Sequence, residues 1–129
     1  MTDLSTFLSL ANIDLGALGD KPTTLTPGQK EAATSLWTSP DGLIDIGVWE
    51  CTPGRFSADR SNAAEFCHFL FGQIVMTHQD GRKQELGPGD ALLLPLGWKG
   101  TWKILEHTRK IYVFMRSGSE QEGSQDGRC

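Results

Sequence analysis

The chain has 129 residues, with 12 Lys and Arg against 16 Asp and Glu for a net charge of −4. That length provides for one domain around one core. Its scattered cations form no basic stripe to release counterions from a phosphate backbone, so nucleic acid is not an expected partner. Apolar runs such as Ala91 to Leu94 fall far short of the ~20 residues of a membrane-spanning helix. The start, Met1 to Asp20, carries Asp3 and Asp14 and lacks a basic stretch followed by an apolar run, so neither a membrane span nor a secretory signal is expected. Cys51, Cys67 and Cys129 are too few and odd in number for a disulfide framework, which places the protein in the cytoplasm.

In chain order, Leu4, Phe7, Leu8 and Leu10 cluster after Ser5, a capping residue type, and predict a short helix or an arm within 1–31. From 32 to 116 the turn signals Pro40-Asp41-Gly42, Thr52-Pro53-Gly54, Asp80-Gly81 and Gly87-Pro88-Gly89-Asp90 recur about every ten residues, the punctuation of an all-β domain. Strands are predicted over Thr34 to Thr38, Leu43 to Cys51, Phe66 to Phe71, Gln73 to His78, Lys83 to Leu86, Ala91 to Leu94, Trp98 to Leu105 and Lys110 to Met115. The stretch Glu106-His107-Thr108-Arg109 reads as a turn. Eight short strands suit a sandwich or jelly roll. From Ser117 to Cys129 no large apolar residue is present, and a disordered acidic tail is expected.

Alternation assigns faces. Trp98, Gly100, Trp102 and Ile104 share the inward face of their strand, and Lys99, Thr101 and Lys103 the outward one. Phe66 to Phe71 and Ile111 to Met115 are apolar on both faces, so the outside of that sheet needs a cover. The N-terminal arm or a second subunit can supply it, and a homodimer through Phe66, His68 and Leu70 or through Ile111 to Met115 is the expectation.

Glu65 and Gly72 fit the second half of a motif built from His-x-His, a glutamate three or four residues on, and a glycine after six more. Gly89, Pro95 and Gly97 fit a second motif in register, and sixteen residues separate the two. With Gly47-Val48-Trp49-Glu50-Cys51-Thr52-Pro53-Gly54, Glu65-Phe66-Cys67-His68 and Gly100-Thr101-Trp102, the stretch from Leu36 to Met115 resembles the cupin superfamily. It is most similar to the small cupins related to the (S)-ureidoglycine aminohydrolase cupin domain and the ethanolamine-utilisation cupin. The resemblance implies an all-β, single-domain cupin jelly-roll barrel.

In ordinary cupins three histidines and the glutamate hold a divalent metal, a donor set that leaves positions open for substrate. Counting back from Glu65, the His-x-His positions fall on Ala58 and Arg60 or on Asp59 and Ser61, and the third histidine's place is Gly100. Of the ligand set the resemblance implies, Glu65 alone remains, so no metal and no cofactor are expected. Glu65 and Cys67 point one way on an extended strand and His68 the other, so they cannot close on one ion without a bulge. His68 therefore reads as a core or interface residue, and His78 and His107 as solvated ones.

The candidate pocket combines Arg60, Glu65, Cys67, Trp98, Gly100 and Trp102, with Trp49 joining if its strand turns that face inward. Glu65 is an inward carboxylate that needs a partner, for which Arg60 is the nearest in sequence. It serves either as half of a structural ion pair or as a catalytic acid or base. Cys67 reads as an inert buried thiol. Gly100 between Trp98 and Trp102 leaves a space that either admits a flat or small ligand or is filled by a neighbouring side chain. Three functions follow: a metal-independent small-molecule-binding cupin; an aminohydrolase-like enzyme acting on a ureide or other amine-bearing compound, with Glu65 managing protons; or a ligand-free interaction or sensor cupin.

Overall fold

A computed structural model describes residues 2–117 of the chain, and the predicted tail beyond Ser117 lies outside them. Eight strands follow one another: β1 Gly19–Asp20, β2 Lys30–Thr38, β3 Ile44–Cys51, β4 Gly54–Asp59, β5 Ala63–His78, β6 Lys83–Leu86, β7 Ala91–Leu94 and β8 Lys99–Arg116. All pairings are antiparallel, in the order β1-β2-β3-β8-β5-β6, with β4 also on β8 and β7 also on β5. No helix forms among the described residues, so the N-terminal segment is an arm and not a helix, and none is long and apolar enough to cross a membrane.

β5 and β8 organise the molecule because each is long enough to serve two layers. The C-terminal part of β8 lies between β3 and the first half of β5, which also carries β7. Its N-terminal part lies between β4 and the second half of β5, which also carries β6. Trp49, Cys67, Tyr112, Phe114 and Leu94 from the first layer share one buried cluster with Phe56, Trp102, Ile104, Ile74, Met76 and Leu86 from the second. The two layers therefore enclose a single core, as a jelly-roll barrel does.

Each of the two long strands was expected as two shorter ones. In β5 the pairing register shifts around Phe71 and Gln73, and Gly72 between them takes φ +111°, so the strand bends without ending. In β8 the polar run 106–109 stays extended because its side chains find partners. The Thr108 hydroxyl donates to the Glu106 carbonyl at 2.8 Å, His107 lies 3.1 Å from Glu50 Oε1, and Arg109 Nη2 donates to the same oxygen at 3.1 Å. Gly54–Asp59, which the turn signals concealed, is a strand with Phe56 and Ala58 inward.

The arm does part of the covering expected of it. Leu10, Ile13 and Leu15 pack on Ala32, Leu36 and Val48, and Arg109 Nη1 donates to the Leu10 carbonyl at 2.8 Å. This explains why β3 left its inward face undecided: Trp49 is buried in the barrel and Val48 is buried beneath the arm. The barrel also begins before residue 32, because β2 starts at Lys30 and the loop before it lies along β4, with Ser57 N–H donating to the Thr23 carbonyl and Leu25 N–H to the Arg55 carbonyl.

Candidate functional site

The turn from β4 into β5 aims the first site residue. Asp59 Oδ1 accepts from the Ser61 backbone N–H at 2.8 Å and from its hydroxyl at 2.5 Å. The Ser61 hydroxyl is the main cause, ahead of the backbone N–H, that holds the Asp59 carboxyl below the ordinary aspartate value. With Asp59 and Ser61 exposed, Ala58 and Arg60 are the buried pair, so of the two His-x-His registers the one on Ala58 and Arg60 faces inward. Ala58 pairs directly with Gly100. The positions where the resemblance implies ligands therefore carry a methyl group, a guanidinium, a hydrogen atom and a carboxylate: Ala58 pairs with the half-buried Gly100, and Arg60 reaches Glu65.

Glu65 is fully buried and held by two cations. Arg60 Nε donates to Oε1 at 3.1 Å, and Lys110 Nζ donates to Oε2 at 2.7 Å. Lys110 is itself fully buried, its ammonium 4.2 Å from the Trp102 ring centre and 4.5 Å from that of Trp49. Burying a carboxylate and an ammonium together costs several kcal/mol per ion unless both are paired and hydrogen-bonded, and the two indole faces add a further favourable field for the cation. An ammonium thus stands beside the one metal-type ligand, and the donor set does not fit a divalent ion. Among the described residues no group of three or more His, Cys, Asp and Glu gathers around a common point.

The aromatic floor is built by three strands. Trp49, Phe56 and Trp102 form a triangle with ring centres 5.4 to 5.9 Å apart. A second lysine, Lys21, approaches it from the loop before β2: its Nζ lies 4.1 Å from the Phe56 ring centre and donates to Glu31 Oε1 at 2.8 Å. Trp49 Nε1 donates to the same Glu31 oxygen at 2.9 Å. Beside this group an open cleft of about 450 Å³ runs along β2 and is lined by Glu31, Ala33, Ser35 and Trp49 on one side and Ala17, Gly19 and Asp20 on the other.

Of the expected pocket residues, Arg60, Glu65, Trp49 and Trp102 come together. Cys67 is buried on the same inward face, in register with Tyr112 and Leu92. Trp98 closes over Gly100. A Cβ on Gly100 would lie 2.6 Å from the Trp98 ring and 2.2 Å from the Thr77 carbonyl oxygen, so Trp98 itself fills the space. The Trp98 indole N–H donates to Nδ1 of the half-buried His78 at 3.2 Å. Gly100→Leu is accordingly expected to lose about 1–3 kcal/mol of stability through overpacking, measured as a lower urea midpoint with an unchanged slope.

Lys110, Lys21 and Glu31 escaped the sequence reading. A lysine opening an apolar strand looks like a solvated end. The signal that identifies Lys110 is parity, since it shares the inward, even-numbered face of β8 with Trp102, Ile104, Tyr112 and Phe114.

No curated protein matches. The solved structure of the EutQ protein of Clostridium difficile aligns with a TM-score of 0.69 at 23% identity, covering 85% of this chain and 86% of that one. A putative ethanolamine utilization protein Q from Salmonella typhimurium aligns at 0.60 and 22% identity over 69% and 72% of the two chains. A protein of unknown function from Pseudomonas syringae pv. tomato aligns at 0.70 and 20% identity over 84% of this chain and 46% of that one. These likenesses establish the fold, and the sequence profile of the EutQ-like cupin domain matches residues 38–112, so the chain belongs to the EutQ-like cupin family.

Proposed function

We propose that this cupin binds a small molecule without a metal, using a barrel interior organised by Glu65, Arg60 and Lys110 and floored by Trp49 and Trp102. The observation that carries the reading is the Trp102 indole N–H. It is buried and has no hydrogen-bond acceptor among the described residues, whereas nearly all buried donors in folded proteins have one. An acceptor brought in by a ligand meets that donor beside the Lys110 ammonium, which favours a small carboxylate or ureide. The cleft beside Glu31 and Ser35 gives an approach to Trp49 and lies within the volume range of small-molecule sites. The amine-hydrolysing alternative asks Glu65 to manage protons, yet both its oxygens already accept from cations. The compartment we propose is the cytoplasm, which suits a sparse and odd set of three cysteines.

Titrating chelator-treated protein with a panel of small carboxylates, amines and ureides, read by tryptophan emission, tests this. A saturable change is expected with at least one carboxylate or ureide, and Trp102→Phe, which keeps a ring and removes the N–H, is expected to weaken it about ten-fold, the equivalent of one hydrogen bond of about 1.4 kcal/mol. Silence across the panel at millimolar concentration would favour the ligand-free interaction cupin instead.

A further inference from the structure

The rings that floor the barrel, Trp49, Phe56 and Trp102, are fully buried, so a ligand reaches them only where the wall opens. Beside Phe56 the wall is the loop 21–29. The pairs Gly19↔Glu31 and Asp20↔Lys30 close β1 and β2 into a hairpin with this loop at its tip. It runs along the edge of β4: Thr24 bridges to Phe56, Leu25 N–H donates to the Arg55 carbonyl at 2.8 Å, and Ser57 N–H donates to the Thr23 carbonyl at 3.2 Å. No residue of the loop belongs to either buried apolar cluster, and Pro22, Leu25 and Pro27 are exposed. What the loop buries is polar: Lys21, Gln29, and the Thr23 hydroxyl, which has no hydrogen-bond partner among the described residues. The Gln29 amide is held at both ends, donating to the Thr52 carbonyl at 3.1 Å and accepting from the Thr24 hydroxyl at 2.8 Å.

We propose that this loop is the door to the barrel and the Lys21–Glu31 ion pair its latch, an inference that rests on the interior being a ligand site. Glu31 belongs to β2, so the pair ties the loop to the fixed sheet, with Nζ donating to Oε1 at 2.8 Å. The same ammonium caps the aromatic triangle, 4.1 Å from the Phe56 ring centre, and Phe56 in turn stacks on Trp102 with ring centres 5.4 Å apart and planes at 21°. One ring therefore separates the latch from the indole whose N–H has no acceptor among the described residues. A cover of leucines loses its stabilisation when it opens, whereas an ammonium, an amide and a hydroxyl recover their hydration. The Thr23 hydroxyl gains on opening a hydrogen bond that it lacks when closed. Segments that bury little apolar surface are the ones that open locally without global unfolding. The cleft of about 450 Å³ along β2 begins at the latch, since Glu31 and Trp49 line it, and brings a ligand to the door.

The test is hydrogen exchange of the ligand-free full chain, read by NMR at the Leu25 and Ser57 amides and the Trp102 indole N–H. All three are expected to exchange together, faster than the amides between β5 and β8 and almost independently of low urea, as a local opening does. Lys21→Met keeps the stem on Phe56 and removes the ammonium, and it is expected to speed all three at least ~10-fold through the loss of one charge-assisted hydrogen bond. Glu31→Gln, which keeps an acceptor, is expected to give a smaller increase at the same sites, and it carries the test if Lys21→Met does not fold. Gly81→Ala, which strains the chain away from the loop, is expected to leave the three rates unchanged. Exchange of the three only at the rate of the β5–β8 amides would overturn the inference. So would rates indifferent to both latch substitutions, or an unchanged Trp102 N–H in a variant whose loop amides speed up. No ligand enters the measurement, so a silent panel fails the binding proposal without moving these rates, and unmoved rates fail the door without silencing the panel.

Discussion

Replacing Lys110 with methionine is expected to lower the unfolding free energy by about 3–5 kcal/mol, the cost of breaking a buried ion pair from one side. Methionine preserves the length of the stem and its packing between Trp49 and Trp102, so the loss reports the ammonium and not a cavity. Glu65, fully buried, then keeps only Arg60 of its two described cationic partners. Glu65→Gln combined with Lys110→Met is expected to cost less than the sum of the two single changes, because the second removes the charge that the first stranded. Urea unfolding followed by tryptophan emission supplies all three values. A Lys110→Met protein within about 1 kcal/mol of wild type would mean that Glu65 does not depend on this ammonium.

Gly72→Ala has the second large expected effect. Gly72 sits at the bend of β5 with φ +111°, where any side chain is strained, and its Cβ would lie 2.0 Å from Thr108 Oγ1 and 2.6 Å from Thr108 Cα. Thr108 is fully buried, so the neighbour has nowhere to move. Backbone strain of about 1–3 kcal/mol and overpacking of about 1–3 kcal/mol are expected to act together. Gly81→Ala separates them: Gly81 also has positive φ, +96°, but nothing lies within 4 Å of its Cβ, so only the strain should appear. Equal losses in the two variants would mean that the close approach of β8 at Gly72 plays no part.

The distribution of turn residues explains how much of this was legible. Lys83–Leu86 and Ala91–Leu94 have the predicted ends because Asp80-Gly81 and Gly87-Pro88-Gly89-Asp90 close them with real turns. The same reasoning divided β5 and β8, since a glycine that bends a strand and one that ends it look alike in sequence, as do polar residues paired across strands and polar residues in a turn. Within the site, the Arg60–Glu65 pair could be counted out from motif spacing because both ends lie five residues apart. Lys110 lies 45 residues from Glu65, and Lys21 and Glu31 reach Trp49 from the loop before β2 and from its start. Such meetings depend on sheet order and register, which periodicity does not encode. At Gly100 the sequence leaves a ligand slot and a filled space as alternatives, because it places Trp98 beside the glycine but does not reveal that its ring folds back across it.

Our reading that Glu65 serves two cationic side chains and not a metal is tested most directly by elemental analysis of protein purified without added metal and dialysed. The account predicts well under one equivalent of any transition metal per chain, because Ala58, Arg60 and Gly100 stand where imidazoles would be needed and Glu65 is engaged by Arg60 and Lys110. A full equivalent that survives dialysis would contradict it.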